Sequence, residues 1–170
     1  CVRNNVGVFD VSHMGEFFIS GENALKFLQT HTSNNVGILE IGDAQYAYMP
    51  NTKGGIIDDL IVYRVGLSNY MLVVNASNIK KDWEWLTEKN KLFGVNLENK
   101  SSEYVLLSVQ GPNTHSLIKE ISSHDSSKQK SFTILKTTIG KCPNIWISTT
   151  GYTGAGGVEL YIPVKYSDYI

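Results

Sequence analysis

The 170-residue sequence is poor in cysteine, proline and charged residues, and it has no long apolar run. Its two cysteines, Cys1 and Cys142, have no CxxC or other ligand spacing, which argues against a disulfide framework or a zinc site and favours a reducing compartment. A net charge of −1 provides no electrostatic footprint for nucleic acid or an anionic membrane. No apolar run approaches the ~20 residues of a transmembrane helix. After these exclusions, the composition and length indicate an ordinary globular protein with a substantial core.

The common catalytic motifs are also missing. The sequence has no GxGxxG dinucleotide loop, no Walker A lysine, no GxSxG elbow and no HExxH pair. The four histidines stand apart, with no spacing typical of metal ligands: His13, His31, His115 and His124. We therefore predict no metal site, and we find no internal repeat and no targeting segment in these residues.

Hydrophobic periodicity predicts an α+β fold with antiparallel or mixed sheets covered by helices. The predicted order is β-α-β-β-β-α-β-α-β-β-β, rich in hairpins. Strands are predicted within 6–20 and at 44–49, 56–65, 70–74, 104–110, 132–138, 144–148 and 158–163, and helices at 21–32, 78–93 and 113–121.

The stretch GGIIDDLIVYR (54–64) places two adjacent acids, Asp58 and Asp59, inside an apolar strand. Because neighbours in a strand point to opposite faces, the two carboxylates cannot share one environment. Alternation predicts these neighbours: Ile57, Ile61 and Tyr63 beside Asp59, and Leu60, Val62 and Arg64 beside Asp58. Apolar and aromatic neighbours would desolvate Asp59 and raise its pKa. The alternative is a solvated pair that only caps the glycine turn, and alternation leaves both interpretations open.

A second unusual stretch is the glycine-rich TTGYTGAGGVELY (149–161). Such a run is typical of a backbone that approaches a ligand closely, and equally of a flexible hairpin tip. No lysine or arginine follows it, so the spacing does not predict a phosphate site. It carries the aromatic Tyr152 and the acid Glu159, which lies between Val158 and Leu160.

Taken together, five motifs resemble the aminomethyltransferase of the glycine cleavage system, the T-protein family. They are FDVSHMGEF (9–17), AQYAYMPNTKGGIIDDLIVYR (44–64), LVVNASN (72–78), SVQGP (108–112) and GYTGAGGVELY (151–161). The resemblance implies a folate-binding aminomethyltransferase-like core without a metal. Members of the family are more than twice as long. Residues 1–170 are therefore expected to form a partial, incomplete folate-binding domain of two interleaved α+β subdomains, without the C-terminal barrel domain.

The activity that the resemblance implies is transfer of an aminomethyl carbon from a lipoyl carrier protein, the H-protein, to the co-substrate tetrahydrofolate. Ammonia is released and 5,10-methylenetetrahydrofolate is formed. The implied partners are the H-protein and folate, with no nucleic acid and no membrane. The implied location is the cytoplasm of a bacterium or the mitochondrial matrix of a eukaryote.

The family's essential aspartate matches Asp59, and its folate-binding glutamate matches Glu159. Asp59 would meet the folate nitrogen that attacks the aminomethyl carbon, either taking its proton or orienting it and stabilising charge. Glu159 would accept N–H bonds from the aminopyrimidine edge of the pterin. Further folate contacts are implied at Tyr152, Tyr46, Tyr63, Met14, Val73 and Asn75.

The sequence departs from the family pattern at Ala155, where GYTGE is usual. The family's arginine and C-terminal aromatic contacts for folate fall beyond Ile170, so we expect an incomplete pocket. There are two alternatives. One is the folate-binding domain of a dimethylglycine- or sarcosine-oxidising enzyme, which shares these motifs. The other is a non-catalytic folate-binding relative, a group that commonly lacks the paired-aspartate strand, whereas Asp59 is retained here.

Overall fold

A computed structural model describes residues 1–170 as two compact units. The central unit comprises residues 13–101, and the terminal unit comprises residues 1–12 and 102–170. Each unit contains one five-stranded sheet, and every strand pairing is antiparallel. The predicted α+β class with antiparallel sheets is confirmed.

The chain forms ten strands and three α-helices. The strands are β1 (Gly7–Asp10), β2 (Gly15–Ser20), β3 (Ala44–Pro50), β4 (Ile56–Gly66), β5 (Asn69–Val74), β6 (Asn96–Asn99), β7 (Tyr104–Gln110), β8 (Ile134–Ile139), β9 (Cys142–Ser148) and β10 (Gly157–Pro163). The helices are α1 (Ala24–His31), α2 (Ile79–Asn90) and α3 (Thr114–Ile121). None of them has both the length and the apolar character needed to cross a bilayer.

In the central unit the sheet has the order β3-β4-β5-β2-β6. One face of this sheet packs on a core to which α1 contributes Phe27 and Leu28, and α2 contributes Leu86. Alternation along β4 turns Leu60 and Val62 into this core, as the period of a half-buried strand requires. The predicted β3–β4 hairpin is confirmed by its antiparallel register.

In the terminal unit the order is β1-β7-β10-β9-β8. Its core lies between one sheet face and α3. The apolar positions of β10, Val158 and Leu160, pack there with Ile147 of β9 and Ile118 of α3. Alternation again leaves the intervening residues of β10, among them Glu159, on the opposite face.

The two units repeat one backbone design, although the sequence shows no repeat. Gly21, directly after β2, and Gly111, directly after β7, both turn the chain at positive φ, with angles of 117° and 131°. Asn23 and Asn113 then begin α1 and α3 with nearly equal dihedral angles. Both helices lead into a short 3₁₀ turn in which the amide of the second residue donates to the Asn or Asp side chain that precedes the turn. The repeated features are backbone dihedral angles and turn hydrogen bonds. Different side chains can satisfy them, so the sequence need not repeat.

Several predicted boundaries differ from the structure. Helix α2 ends at Asn90 rather than residue 93, and Leu92, which lies beyond the helix end, is 88% exposed. Strand β6 carries no hydrophobic period and was not predicted. Asn78 occupies the N-cap position of α2, but its side chain makes no capping bond, because it bonds Asp58 instead.

Candidate functional site

The two adjacent acids of β4 lie on opposite faces of the central sheet, as alternation predicts. Asp58 is on the core side and only 6% exposed, whereas Asp59 is half-buried on the other face. The predicted neighbours of Asp59 hold for Ile61 and Tyr63. The prediction for Ile57 is wrong, since Ile57 packs against the core. A bulge opposite Met49 and Pro50 inserts one residue and reverses the alternation there.

The burial of Asp58 rules out a solvated acid pair. Its Oδ1 accepts hydrogen bonds from Asn75 Nδ2 at 3.1 Å and Asn78 Nδ2 at 2.7 Å. Burial opposes its ionisation, but the neighbouring polar side chains, among them the donors Asn75 and Asn78, outweigh that effect and hold the pKa of Asp58 below its ordinary value. Of the two acids, the more deeply buried is therefore Asp58, although we expected Asp59 to be the desolvated one.

Asp59 is held by side chains from two neighbouring elements. Tyr46 of β3 donates its hydroxyl to Asp59 Oδ2 at 2.9 Å, and Asn75, just after β5, donates to Oδ1 at 3.2 Å. The bond to Tyr46 is diagonal, because the residue directly opposite Asp59 is Tyr48. The same bond raises the pKa of Tyr46, so its hydroxyl keeps its proton and remains a donor. The carboxylate is thus oriented by two donors.

The face of the sheet around Asp59 is apolar and aromatic. Tyr46, Ile61 and Val73 are successive cross-strand neighbours on β3, β4 and β5. Tyr63 is fully buried and Val73 is 6% exposed. Five of the implied site residues therefore lie together in the central unit, on or beside this face: Tyr46, Asp59, Tyr63, Val73 and Asn75. Met14, half-buried just before β2, belongs to the same unit.

This face also carries an acid that sequence reasoning missed. Glu16 of β2 is the cross-strand neighbour of Val73 and is 1% exposed. Neither of its carboxyl oxygens has a hydrogen-bond partner, and burial raises the pKa of Glu16 to about 8. The available signal was alternation, since Glu16 lies opposite in phase to the core residues Phe17 and Ile19.

The two remaining site residues, Glu159 and Tyr152, lie in the terminal unit. Glu159 pairs across the sheet with Ser108 and Ser148 and accepts a hydrogen bond from the Thr150 hydroxyl. Burial raises its pKa, an effect that the Thr150 bond partly opposes. Tyr152 is 79% exposed in the loop before β10.

The glycines around Tyr152 have a structural reason within the chain. A Cβ at Gly151 would lie 2.4 Å from the Gln110 side chain, and one at Gly157 would lie 2.4 Å from the Val109 carbonyl oxygen. Both glycines also have φ of 146°, which other residues rarely adopt. The loop is therefore glycine-rich because it packs tightly against the end of β7. At Ala155, the backbone amide bonds Thr153 Oγ1 at 3.2 Å.

Chemically, Asp59 is a carboxylate in contact with donors on an apolar face, a setting suited to meeting an amine or a developing cation. Glu159 is a buried acceptor that receives a hydrogen bond from the Thr150 hydroxyl. The structure shows no cluster of side chains that would hold a metal ion.

Comparison with known proteins gives a consistent result. A protein from Flavobacterium psychrophilum named aminomethyltransferase is 48% identical over 94% of this chain, which corresponds to 44% of that protein. Another so named, from Porphyromonas gingivalis, is 46% identical over 99% of this chain and 46% of its own length. The chain thus spans about half the length of the curated relatives it matches.

Solved structures agree. The glycine cleavage system aminomethyltransferase T from Bartonella henselae superposes with a TM-score of 0.90 at 28% identity, covering 99% of this chain and 45% of that one. The heterotetrameric sarcosine oxidase from a Corynebacterium species shares the fold alone, with a TM-score of 0.69 at 13% identity, over 96% of this chain and 78% of that one. The family described as GCVT N-terminal domain matches residues 1–170 throughout, and the chain belongs to that family.

Proposed function

We propose that the complete gene product carrying this chain is the aminomethyltransferase of a glycine cleavage system. It transfers the aminomethyl carbon from a lipoyl carrier protein to tetrahydrofolate, with release of ammonia and formation of 5,10-methylenetetrahydrofolate. The observation that carries the proposal is Asp59, oriented by Tyr46 and Asn75 on an apolar face, in a chain of this family.

In this reaction the transferred carbon forms bonds to two folate nitrogens and loses its bonds to the ammonia nitrogen and the lipoyl sulfur. The two protons lost by the folate nitrogens balance those gained by ammonia and the thiol. Asp59 would meet the attacking nitrogen. Its fixed negative charge would stabilise the iminium-like carbon through which the transfer passes. Tyr46 and Asn75 hold the carboxylate in place, so little reorganisation is needed when charge develops.

The proposed folate contacts combine shape and hydrogen bonding. Tyr46, Tyr63, Val73 and Met14 supply aromatic and apolar surface for the flat pterin faces, as ligand pockets commonly do. Glu159, in a polar surround of Ser108, Ser148 and Thr150, would accept N–H bonds from the aminopyrimidine edge. Tyr152, exposed in the loop before β10, is proposed to add an aromatic contact.

The oxidase-type alternative is less well supported. Relatives at 45–49% identity are named aminomethyltransferase, whereas the sarcosine oxidase at 13% identity shares the fold only. The non-catalytic alternative does not explain why a carboxylate is oriented by two donors on an apolar face.

The test is transfer activity of the complete gene product with reduced aminomethyl-lipoyl carrier and tetrahydrofolate, following methylenetetrahydrofolate. Asp59→Asn should lower kcat about 10²-fold or more while leaving tetrahydrofolate affinity nearly unchanged, because it removes the charge and keeps the shape. Asp168→Asn makes the same chemical change at an exposed position and serves as control. Lack of transfer by the wild type would reject the function, and full activity of Asp59→Asn would reject the role of Asp59.

A further inference from the structure

Thr150, two residues after the end of β9, lies beside the acid Glu159 in the terminal unit. It is 5% exposed, and its hydroxyl donates to Glu159 Oε2. The same hydroxyl lies 2.6 Å from Ser148 Oγ, and Ser148 is the direct cross-strand partner of Glu159. Ser148 and Glu159 are buried as well. Three buried polar side chains therefore form one hydrogen-bonded chain, Ser148–Thr150–Glu159.

The direction of these two hydrogen bonds is fixed when Glu159 is ionised. A carboxylate only accepts, and a threonine hydroxyl has one hydrogen, so Thr150 donates to Glu159 and accepts from Ser148. A hydroxyl that accepts a hydrogen bond is itself a stronger donor. Because a carboxylate is planar, a bond held at Oε2 also sets the direction of Oε1. The acid is thus oriented before any ligand arrives, which lowers the cost of binding.

Thr150 is in turn held by Gln110 of the SVQGP motif, at the end of β7. Gln110 is 2% exposed, and its Nε2 lies 3.3 Å from the carbonyl oxygens of Thr150 and Val158. Its Oε1 accepts from Thr153 Oγ1 at 2.9 Å. One amide therefore joins the two ends of the glycine-rich loop, with Thr150 at one end and Val158, the neighbour of Glu159, at the other. This arrangement keeps the Thr150 hydroxyl close to the Glu159 carboxylate.

The strand neighbours of Glu159 are uncharged. Ser108 on β7 and Ser148 on β9 lie opposite it, and Tyr161 follows two residues along on the same face of β10. Burial raises the pKa of Glu159, and the Thr150 bond acts in the opposite direction. Loss of that bond should therefore raise the pKa of Glu159 further, which can be measured separately from stability.

We propose that Thr150 is a positioning residue for Glu159, holding the carboxylate in the direction in which it receives the N–H groups of the folate aminopyrimidine. The inference rests on the proposed function, since it takes Glu159 as the folate-binding acid. A threonine that only stabilised the end of β9 would affect unfolding, but neither folate affinity nor the titration of Glu159.

Three substitutions separate these roles in the complete gene product. Thr150→Val removes the hydroxyl and keeps the branched shape, so Kd and KM for tetrahydrofolate should rise about tenfold, as for a lost hydrogen bond to a charged group. Its kcat at saturating tetrahydrofolate should stay within about twofold, because the reacting acid Asp59 belongs to the other unit. Thr150→Ser restores the donor and should restore the Kd.

Thr137→Val is the matched control. Thr137 is 8% exposed in the same sheet, and its hydroxyl lies 3.5 Å from Ser123 Oγ rather than near Glu159. This variant makes the same chemical change at a similarly buried position, so its Kd for tetrahydrofolate should equal that of the wild type.

A second measurement needs no folate. The ¹³C resonance of the Glu159 carboxyl group, assigned by its absence from Glu159→Gln, follows the titration of that group directly. Its midpoint should move to higher pH in Thr150→Val and stay at the wild-type value in Thr150→Ser and Thr137→Val. If the wild type does not bind tetrahydrofolate but this midpoint still moves, the proposed function and the folate part of the inference are rejected, whereas the Thr150–Glu159 bond stands.

A Kd for Thr150→Val within about twofold of the wild type would overturn the inference, because a positioning bond to a charged acceptor is worth more than that. An equal rise in Thr137→Val, or an unmoved Glu159 midpoint in Thr150→Val, would also overturn it. If Thr150→Val does not fold, Ser148→Ala decides the question. It removes the donor behind Thr150, so the Kd and the Glu159 midpoint should both rise, and unchanged values would reject the inference.

Discussion

Replacing Glu16 by glutamine should stabilise the protein by an amount that grows with pH. The backbone of Glu16 is well bonded, because its amide donates to Ser101 Oγ at 3.1 Å and its carbonyl accepts from Lys100 at 2.9 Å. Its side chain, by contrast, is 1% exposed and unpartnered. Glutamine has nearly the same shape and carries no ionisable group, so the substitution isolates the protonation cost.

The magnitude follows from the pKa of Glu16, which burial raises from 4.5 to about 8. Above pH 4.5 the unfolded chain loses the proton that the native state keeps, so the stability of the wild type falls as pH rises toward 8. The slope is about 1.4 kcal/mol per pH unit, which amounts to about 3 kcal/mol by pH 7. The glutamine variant lacks this slope, so its advantage should be absent below pH 4.5 and largest near pH 8.

Urea unfolding at several pH values between 4.5 and 8 measures this difference, followed by tryptophan fluorescence. Tryptophan fluorescence reports on this part of the core, because Trp83 packs edge-on against Phe17, the residue after Glu16, with ring centroids 5.1 Å apart. Glu22→Gln changes an exposed glutamate of the same unit and should leave the pH dependence unaltered. A stability difference between Glu16→Gln and wild type that stays constant across this pH range would refute the reasoning.

Two further expectations concern folate binding and the backbone turns. In the complete gene product, Glu159→Ala should weaken tetrahydrofolate binding by about 1–3 kcal/mol, as when a buried partner is left unpaired, and an unchanged Kd by calorimetry would contradict this. Gly111→Ala should destabilise more than Gly21→Ala in urea unfolding. Both glycines have positive φ, a strain of about 1–3 kcal/mol for alanine, but only at Gly111 would the Cβ meet a backbone oxygen, that of Asn5, at 2.0 Å. Equal losses for the two would argue against that close approach.

Local patterns in the sequence were sufficient for most elements and for the division of the acid pair. The alternation of β4 put Asp59, Ile61 and Tyr63 on one face, and the structure agrees, because alternation is a property of any extended backbone. The same rule failed at Ile57, where a bulge set by the partner strand inserts an extra residue. A bulge depends on how two distant segments pair, and no pattern within one segment reports it.

Side-chain partnerships were much less predictable than faces. Asn78 stands just before α2, where asparagine commonly caps a helix, yet its amide bonds Asp58, 20 residues away in sequence. The burial of Glu16 was also missed. Alternation places Glu16 on the face opposite the core residues Phe17 and Ile19, where a lone acid is ordinarily exposed. In both cases the deciding neighbour comes from a remote part of the chain.

The sequence by itself determined the α+β class, the β3–β4 hairpin, and the motifs that mark the family, because these depend on local periodicity and on residue types at fixed spacing. Only the tertiary structure decided that Asp58 is the more buried acid and that Asn75 connects Asp58 to Asp59. Each of these depends on contacts between distant segments, and such contacts exist only when the chain has folded.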